Sequence, residues 1–166
     1  MSIQPIVSIL EKLEKMHRSL LQLANQKTEI VKKGDIDGLQ EILKSEQSHV
    51  AAIEVLEKQR QQMVTDYLGA KGIALTDAPT VTQVIEAAET EEEREQLEDI
   101  RNQLLSVIDY LRIQNDLNQK LVYQSLQFVN VTLDLLRPQP DQINYSGQPI
   151  RGENKGSKKS LFDSQA

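Results

Sequence analysis

The sequence predicts an all-α protein, an elongated antiparallel helical bundle or coiled coil of three long helices and one short helix. Three observations favour this fold class. Apolar residues recur at helical intervals over most of residues 1–136. The last of these stretches, residues 91–136, runs for 46 positions without glycine or proline. Residues typical of helix ends stand between the stretches.

The first helix shows a heptad repeat and ends before Gly34. Lys32 and Lys33 face the negative end of the helix dipole, and Gly34 can adopt the left-handed conformation of a helix cap. The two repeating sets are Ile3, Leu10, His17, Ala24 and Val31, and Ile6, Leu13, Leu20 and Lys27. A flanking stripe makes the apolar face broad, and it consists of Ile9, Met16, Leu23 and Ile30.

The second helix follows a short turn. We expect Asp35 or Asp37 to cap it by accepting hydrogen bonds from free backbone N–H groups, and Gly69 and Gly72 to end it. Because the turn is short, the first two helices should form an antiparallel hairpin. The expected core positions of the second helix are Ile36, Leu39, Ile42, Leu43, Val50, Ile53, Leu56, Met63, Val64 and Leu68.

Two capping-box patterns precede the short helix and the long last helix. Thr80 with Gln83 predicts the start of the short helix, and Thr90 with Glu93 predicts the start of the long one. The pattern leaves open whether the short helix is continuous with the long helix. The apolar residues of the short helix are Val84, Ile85, Ala87 and Ala88.

The apolar face of the last helix widens along its length. With successive side chains about 100° apart, the first half fits the arc of somewhat over ~100° that a bundle needs. The second half spans about twice that width. A partner usually covers apolar surface that the core does not need, although part of this surplus could itself be core. The narrow set is Ile100, Leu104, Val107, Ile108 and Leu111, and the wide set is Leu121, Val122, Leu126, Phe128, Val129, Val131, Leu133, Leu135 and Leu136.

A polar layer interrupts the apolar seam of the last helix. It consists of Gln114, Asn115 and Asn118, and Ser125 and Thr132 continue it with small side chains. One interpretation is that buried amides fix the alignment of the helices at some cost in stability. The other is a lip of hydrogen-bonding groups beside the wide arc, available to a partner. The sequence favours neither interpretation.

Residues 137–166 are predicted to form a disordered tail behind a helical domain of residues 1–136. Arg137 and Pro138 end the last helix, and the following segment is rich in Gly, Ser, Asn and Gln. The tail carries a net charge of +2 and the domain −8, within a total of −6. Tyr145, Leu161 and Phe162 could anchor a short docking motif, or the tail could be inert.

Composition excludes several classes of function. The chain has 4% aromatic residues and no Trp, which does not suit an aromatic-lined substrate pocket. It has no basic patch for nucleic acid, no apolar run long enough to insert into a membrane and no Cys. His17 and His49 could meet in the hairpin, but no helix-spaced acidic residues or Cys support a metal site. We therefore expect no catalytic residues, no metal and no cofactor, in a cytoplasmic protein.

Two segments resemble FlgN-type flagellar export chaperones. Residues 32–60 are similar to that family's first helical hairpin, in which a Gly-Asp turn precedes spaced leucines, Glu-Gln, Leu-Glu and Arg. Residues 114–136 look like the family's last helix, and the likeness covers roughly residues 3–136. The tail from Ser160 to Asp163 resembles Gram-positive members. The matching residues are Gly34, Asp35, Leu39, Leu43, Glu46, Gln47, Leu56, Glu57 and Arg60, followed by Asn115, Asn118, Leu121, Leu126 and Phe128.

The resemblance implies a cytoplasmic chaperone for secreted subunits. Such chaperones bind the C-terminal segments of hook-associated proteins 1 and 3, prevent premature assembly and deliver these substrates to the flagellar type III export gate. A substrate's amphipathic helix would lie in a groove beside the wide arc. Tyr145, or alternatively Tyr123, would contact the cytoplasmic domain of the gate. The expected substrate-binding residues are Asn115, Asn118, Val122, Ser125, Leu126, Val129 and Leu133.

The alternative to a chaperone is a structural or adaptor coiled coil. Such a protein would use the same apolar surface to self-associate, and a homodimer is compatible with either function.

Overall fold

A computed structural model describes residues 1–136, which fold into four helices. They are α1 (Gln4–Lys33), α2 (Ile36–Ala70), α3 (Val81–Ala87) and α4 (Glu91–Leu136). The all-α prediction is confirmed, as three long helices and one short helix. The predicted tail, with Tyr145, Leu161 and Phe162, lies outside the described residues.

Helices α1 and α2 form the predicted antiparallel hairpin. Gly34 adopts a left-handed conformation with φ of 70°, and the Asp35 carboxylate accepts a hydrogen bond from the Gly38 backbone N–H at 3.0 Å. Asp35, rather than Asp37, is therefore the cap of α2. Two contacts between the helices fix their antiparallel alignment, from Ser19 to His49 and from Lys27 to Glu46.

Helix α1 lies between α2 and α4. Helices α2 and α4 each pack along α1, but no Cα atom of α2 lies within 8 Å of a Cα atom of α4. Gln4 is hydrogen-bonded to Gln96 and Thr28 to Asn118, so α4 runs parallel to α1 and antiparallel to α2. This three-helix arrangement leaves a cleft between α2 and α4.

Helix α3 fills one half of that cleft. It packs against both α2 and α4 and caps a hydrophobic core cluster, which lies at this end of the bundle. The Thr80–Gln83 capping box is present. The chain turns out of the helix at Ala88 (ψ 140°), which separates α3 from α4. The cluster contains Ile3, Ile6, Leu10, Leu13, Val64, Tyr67, Leu68, Val81, Val84, Ile85, Leu97 and Ile100.

Three predicted core positions of α2 are exposed. Ile36, Leu43 and Val50 belong to the half of α2 that α3 does not reach, and between 40% and 70% of each residue is exposed. The heptad pattern correctly places Val64 and Leu68 in the core, because α3 covers that half of the helix. The prediction was wrong for Ile36, Leu43 and Val50 because no further helix of the described chain covers them, whereas Ile42 in the same half is buried as predicted.

Candidate functional site

The open half of the cleft forms a groove of about 560 Å³. Helix α1 provides its floor, and α2 and α4 provide its walls. We call it the distal groove, because it lies at the opposite end of the bundle from α3. Its lining residues are Leu20 and Lys27 of α1, Glu46 and Val50 of α2, and Asn115, Asn118, Gln119, Val122, Tyr123 and Leu126 of α4.

The distal groove continues the cleft in which α3 lies. Arg94 donates to the Ala88 carbonyl at 3.4 Å, and Arg101 donates to the Thr82 hydroxyl at 3.2 Å, so both arginines face α3. Residues spaced by seven keep the same orientation in a coiled coil. Asn115 and Val122, which line the groove, are spaced by multiples of seven from these arginines. The same side of α4 therefore contacts α3 at one end and is open at the other.

The groove combines an apolar lining with one partly buried ion pair. Lys27 Nζ lies 3.3 Å from the Glu46 carboxylate, and each side chain is about one-fifth exposed. Leu20, Val50 and Val122 supply apolar surface around this pair. A partner entering the groove would find apolar area for affinity and a charged pair that can orient polar groups.

Helix α4 continues beyond the other helices. Thr28 contacts Asn118, and α1 ends five residues after Thr28, so α4 loses its neighbour near Tyr123. The remaining 13 residues extend about 20 Å at ~1.5 Å per residue. Their large apolar side chains are all exposed, and they are Leu126, Phe128, Val129, Val131, Leu133, Leu135 and Leu136.

The polar layer lies at the boundary between the seam and the groove. The Thr28 hydroxyl donates to Asn118 Oδ1 and accepts from Gln114 Nε2, while Asn118 Nδ2 donates to the Ala24 carbonyl at 2.8 Å. Asn118 is only 2% exposed. The oxygen and the nitrogen of its side-chain amide each have a partner on α1, which favours the register-setting interpretation for Asn118. Asn115 is exposed on the groove wall, where the lip interpretation stays open.

The other predicted binding residues lie on the groove wall or on the projecting end of α4. Val122 and Leu126 line the groove, and Val129 and Leu133 continue its face onto the projecting end. Ser125 donates its hydroxyl hydrogen bond to the Leu121 carbonyl at 2.9 Å, within its own helix. Their role in binding stays a prediction.

Sequence reasoning missed the contribution of α2. Glu46 and Val50 form the second wall of the groove, but the heptad pattern assigned Val50 to the core and gave Glu46 no structural place. The sequence did indicate a broad apolar face on α1, which agrees with Leu20 on the groove floor. The available signal was the length of α2, which extends past the short helix that covers it.

The strongest electrostatic perturbations lie at the opposite end of the bundle. The Lys71 ammonium donates a hydrogen bond to Glu89, which lowers the pKa of Glu89 and raises the pKa of Lys71. Lys71 also lies 5.6 Å from the centre of the Tyr67 ring. Burial raises the pKa of the Tyr67 hydroxyl, which has no hydrogen-bond partner among residues 1–136. These contacts join α2 to the start of α4 and do not reach the groove.

The histidines do not form a shared site. His49 contacts the Ser19 hydroxyl at 2.8 Å, whereas His17 contacts the Leu13 carbonyl of its own helix at 2.7 Å. The part of the chain that the structure describes contains no group of three or more His, Asp or Glu residues placed to hold a metal ion. Among the same residues, no helix combines the length and hydropathy that a membrane span requires.

Comparison with known proteins identifies the family. The family model described as FlgN protein matches residues 1–148. A Bacillus subtilis (strain 168) protein described as uncharacterized protein YvyG is 34% identical over 167 aligned positions, which cover 100% of both chains. No solved structure matches the chain. The chain belongs to the FlgN family of flagellar export chaperones.

Proposed function

We propose that the protein is a cytoplasmic flagellar type III export chaperone for hook-associated proteins 1 and 3. It binds their C-terminal helical segments in the distal groove and along the projecting end of α4. It thereby prevents premature assembly and delivers these proteins to the export gate. The observation that carries the proposal is the open continuation of the α3 cleft, lined by residues from three helices.

Helix α3 supports the choice of an amphipathic helix as the occupant. Together with the residue that follows it, α3 presents Val81, Val84, Ile85 and Ala88 to the bundle, at the spacing i, i+3, i+4 and i+7 of a helix with one apolar face. All four residues are at least 91% buried in the cleft. A substrate helix with the same spacing could pack against α2 and α4 in the distal groove, as α3 packs against them in the other half of the cleft.

The projecting end of α4 supplies the additional apolar surface that such a substrate would cover. Val122, Leu126, Val129 and Leu133 recur at intervals of three and four, so they form one continuous face. That face begins in the groove and continues past the end of α1. A substrate segment that orders on binding loses conformational entropy, which lowers its net affinity. The complex can therefore be dissociated at the gate.

Gate contact is proposed for Tyr123 and Tyr145. Tyr123 is 62% exposed and lines the groove, so its ring is accessible beside a bound substrate helix. Tyr145 lies outside the described residues. A gate contact at Tyr123 would place the gate next to the substrate at the moment of release. Phenylalanine and alanine substitutions at each position, tested for pull-down by the gate's cytoplasmic domain, measure the two contributions.

Binding to a labelled peptide tests the substrate assignment. The peptide is the C-terminal segment of hook-associated protein 1 or 3, and fluorescence anisotropy of the full-length chain measures affinity. Val122→Asp and Leu126→Asp should each weaken binding by a factor of about 30, since a buried interface residue often contributes ~2 kcal/mol. Val55→Asp is the matched control, because Val55 is exposed on α2 and does not line the groove.

The self-association alternative predicts the opposite pattern. If Val122→Asp and Val129→Asp abolish dimerisation and leave peptide binding intact, the groove is not the substrate site. A wild-type chain that binds neither peptide would contradict the substrate assignment itself. Circular dichroism of each variant measures its helix content. The content should match wild type, because these side chains lie at the rim of the groove or on the projecting end.

A further inference from the structure

Helix α4 carries a second exposed apolar surface that the substrate proposal does not use. We call it the outer stripe. Its six residues are between 44% and 80% exposed, although all are large and apolar. They recur at helical intervals and extend for about 38 Å at ~1.5 Å per residue. They are Tyr110, Ile113, Leu117, Phe128, Val131 and Leu135.

The outer stripe and the distal groove lie on different sides of α4. Leu97, Leu104, Leu111 and Asn118, spaced by seven, form the seam against α1. The groove residues Asn115 and Val122 occupy the heptad position on one side of this seam. Tyr110 and Leu117 occupy the heptad position on the other side. These two positions are about 150° apart around a coiled-coil helix. A substrate helix in the groove would therefore leave the outer stripe exposed.

We propose that the outer stripe binds a second copy of this chain, with the two α4 helices antiparallel. An exposed apolar stripe of this length is unusual on a monomer. At about 200 Å² for a large apolar side chain, the exposed fractions give an area on the order of 700 Å² per copy. A stable interface of standard size buries about 800 Å² per partner, so the stripe and its polar margins suffice.

The order of residues along the stripe is nearly the same when read in reverse. An antiparallel pair with its two-fold axis between residues 122 and 123 places Leu117 of one copy opposite Phe128 of the other. It also places Tyr110 opposite Leu135, and Ile113 within one residue of Val131. Such a self-complementary pattern is what a two-fold symmetric interface between identical chains requires. An unrelated partner would not require this symmetry.

The charges that border the stripe do not oppose this pairing. Lys120 Nζ lies 3.8 Å from the Asp116 carboxylate, and Arg112 lies 4.0 Å from Asp109. Each of these four charges therefore has an opposite charge on its own helix. Two identical surfaces of this kind can approach without net repulsion between like charges.

Cysteine crosslinking of the full-length chain tests both the dimer and its direction. The chain has no Cys of its own, so single-Cys variants report one position each. Gln124 lies on the stripe next to the proposed axis, and Gln124→Cys should form a covalent dimer under mild oxidation. Tyr110→Cys should not, because the two copies of residue 110 would lie about 38 Å apart at ~1.5 Å per residue. Efficient crosslinking of Tyr110→Cys would indicate parallel helices and overturn the proposed pairing.

Sedimentation equilibrium supplies the second measurement. Wild-type chain should sediment as a concentration-dependent dimer, and Ile113→Asp combined with Leu117→Asp should raise the dimer dissociation constant at least about tenfold. Both residues are exposed, so the variant should retain its helix content. A wild-type chain that is monomeric at every concentration, or a dimer unaffected by the double substitution, would overturn the proposal.

Peptide binding separates this inference from the substrate proposal. The Ile113→Asp, Leu117→Asp variant should bind the hook-associated peptide with wild-type affinity, because neither residue lines the groove. Loss of peptide binding in this variant would instead show that the outer stripe belongs to the substrate site. The dimer can thus fail while the chaperone assignment stands, and the reverse also holds.

Discussion

The buried polar layer between α1 and α4 gives a quantitative test of whether Asn118 sets register or binds substrate. In Thr28→Val the side-chain volume changes little, but the hydroxyl that donates to Asn118 Oδ1 and accepts from Gln114 is lost. Asn118 Oδ1 is then left without that donor in a site where the residue is 2% exposed. A buried polar group left unsatisfied costs about 1–3 kcal/mol.

We therefore expect Thr28→Val to lower the free energy of unfolding by about 2 kcal/mol. Gln114 contributes little to this loss, because it is half-buried and can bond to water. The compensating double variant, Thr28→Val with Asn118→Leu, replaces both partners with apolar groups. Its stability should return to within about 1 kcal/mol of wild type, since removal of both partners leaves neither Thr28 nor Asn118 with an unsatisfied buried atom.

Urea denaturation followed by circular dichroism measures these differences, with the denaturant dependence checked for constancy. For a chain of this size, 2 kcal/mol corresponds to a fall in Tm of roughly 4–8 °C. If the two substitutions add instead of compensating, Thr28 and Asn118 are not coupled and the register argument is refuted. Peptide affinity should be unchanged in Thr28→Val, whereas a substrate-binding role for this hydrogen-bonded layer requires it to fall.

Three further predictions concern the end of the bundle that holds α3. Thr80→Ala removes the capping hydroxyl that accepts from the Gln83 N–H, and should destabilise α3 by about 1 kcal/mol, seen as faster amide exchange in α3 only. Tyr67→Phe removes a buried hydroxyl without a hydrogen-bond partner in the described chain. Urea denaturation should therefore show unchanged or increased stability. A large loss of stability would mean that the Tyr67 hydroxyl does form a hydrogen bond. Glu89→Gln breaks the pair with Lys71. The pKa of Glu89 is lower in the folded protein than its ordinary value. The Glu89–Lys71 pair therefore stabilises the fold above the ordinary carboxyl pKa, and this stabilisation is lost as pH falls through the lowered pKa of Glu89. The Tm difference between this variant and wild type should therefore disappear at acid pH, and a difference that grew there would contradict the assignment.

The sequence predicted the helices and their ends well because their signals are local. The Asp35 cap, the left-handed Gly34 and the Thr80–Gln83 box each depend on residues within one helical turn. The separation of α3 from α4 could not be predicted, because Thr90 can begin a new helix or follow a bend in a continuous one. The extended conformation at Ala88 decides between these.

The groove was only half predictable, for a different reason. A heptad pattern shows which side of a helix is apolar but not how far along the helix a neighbour extends. Val64 and Val50 both belong to the apolar pattern of α2, yet Val64 is fully buried and Val50 is 45% exposed. Helix α3 is only seven residues long, so it covers Val64 but does not reach Val50. The wide arc of α4 was readable from sequence, but its two exposed faces were not distinguishable without α1 and α3 in place.

The same mismatch in helix length explains why stability and binding can be separated in this chain. The hydrophobic core cluster lies where α3 covers the cleft, and the groove lies where no described residue covers the cleft. Substitutions on the projecting end of α4 remove exposed side chains, so they cost little folding free energy and can alter partner affinity alone. Asn118 lies between the α1–α4 interface and the groove. It is hydrogen-bonded to α1 and also lines the groove. Occupancy of the groove should consequently slow amide exchange in α4 from about residue 115 onward, while exchange at the α3 end stays at its unbound rate. Uniform protection of both ends would instead mean that the two halves respond as one cooperative unit.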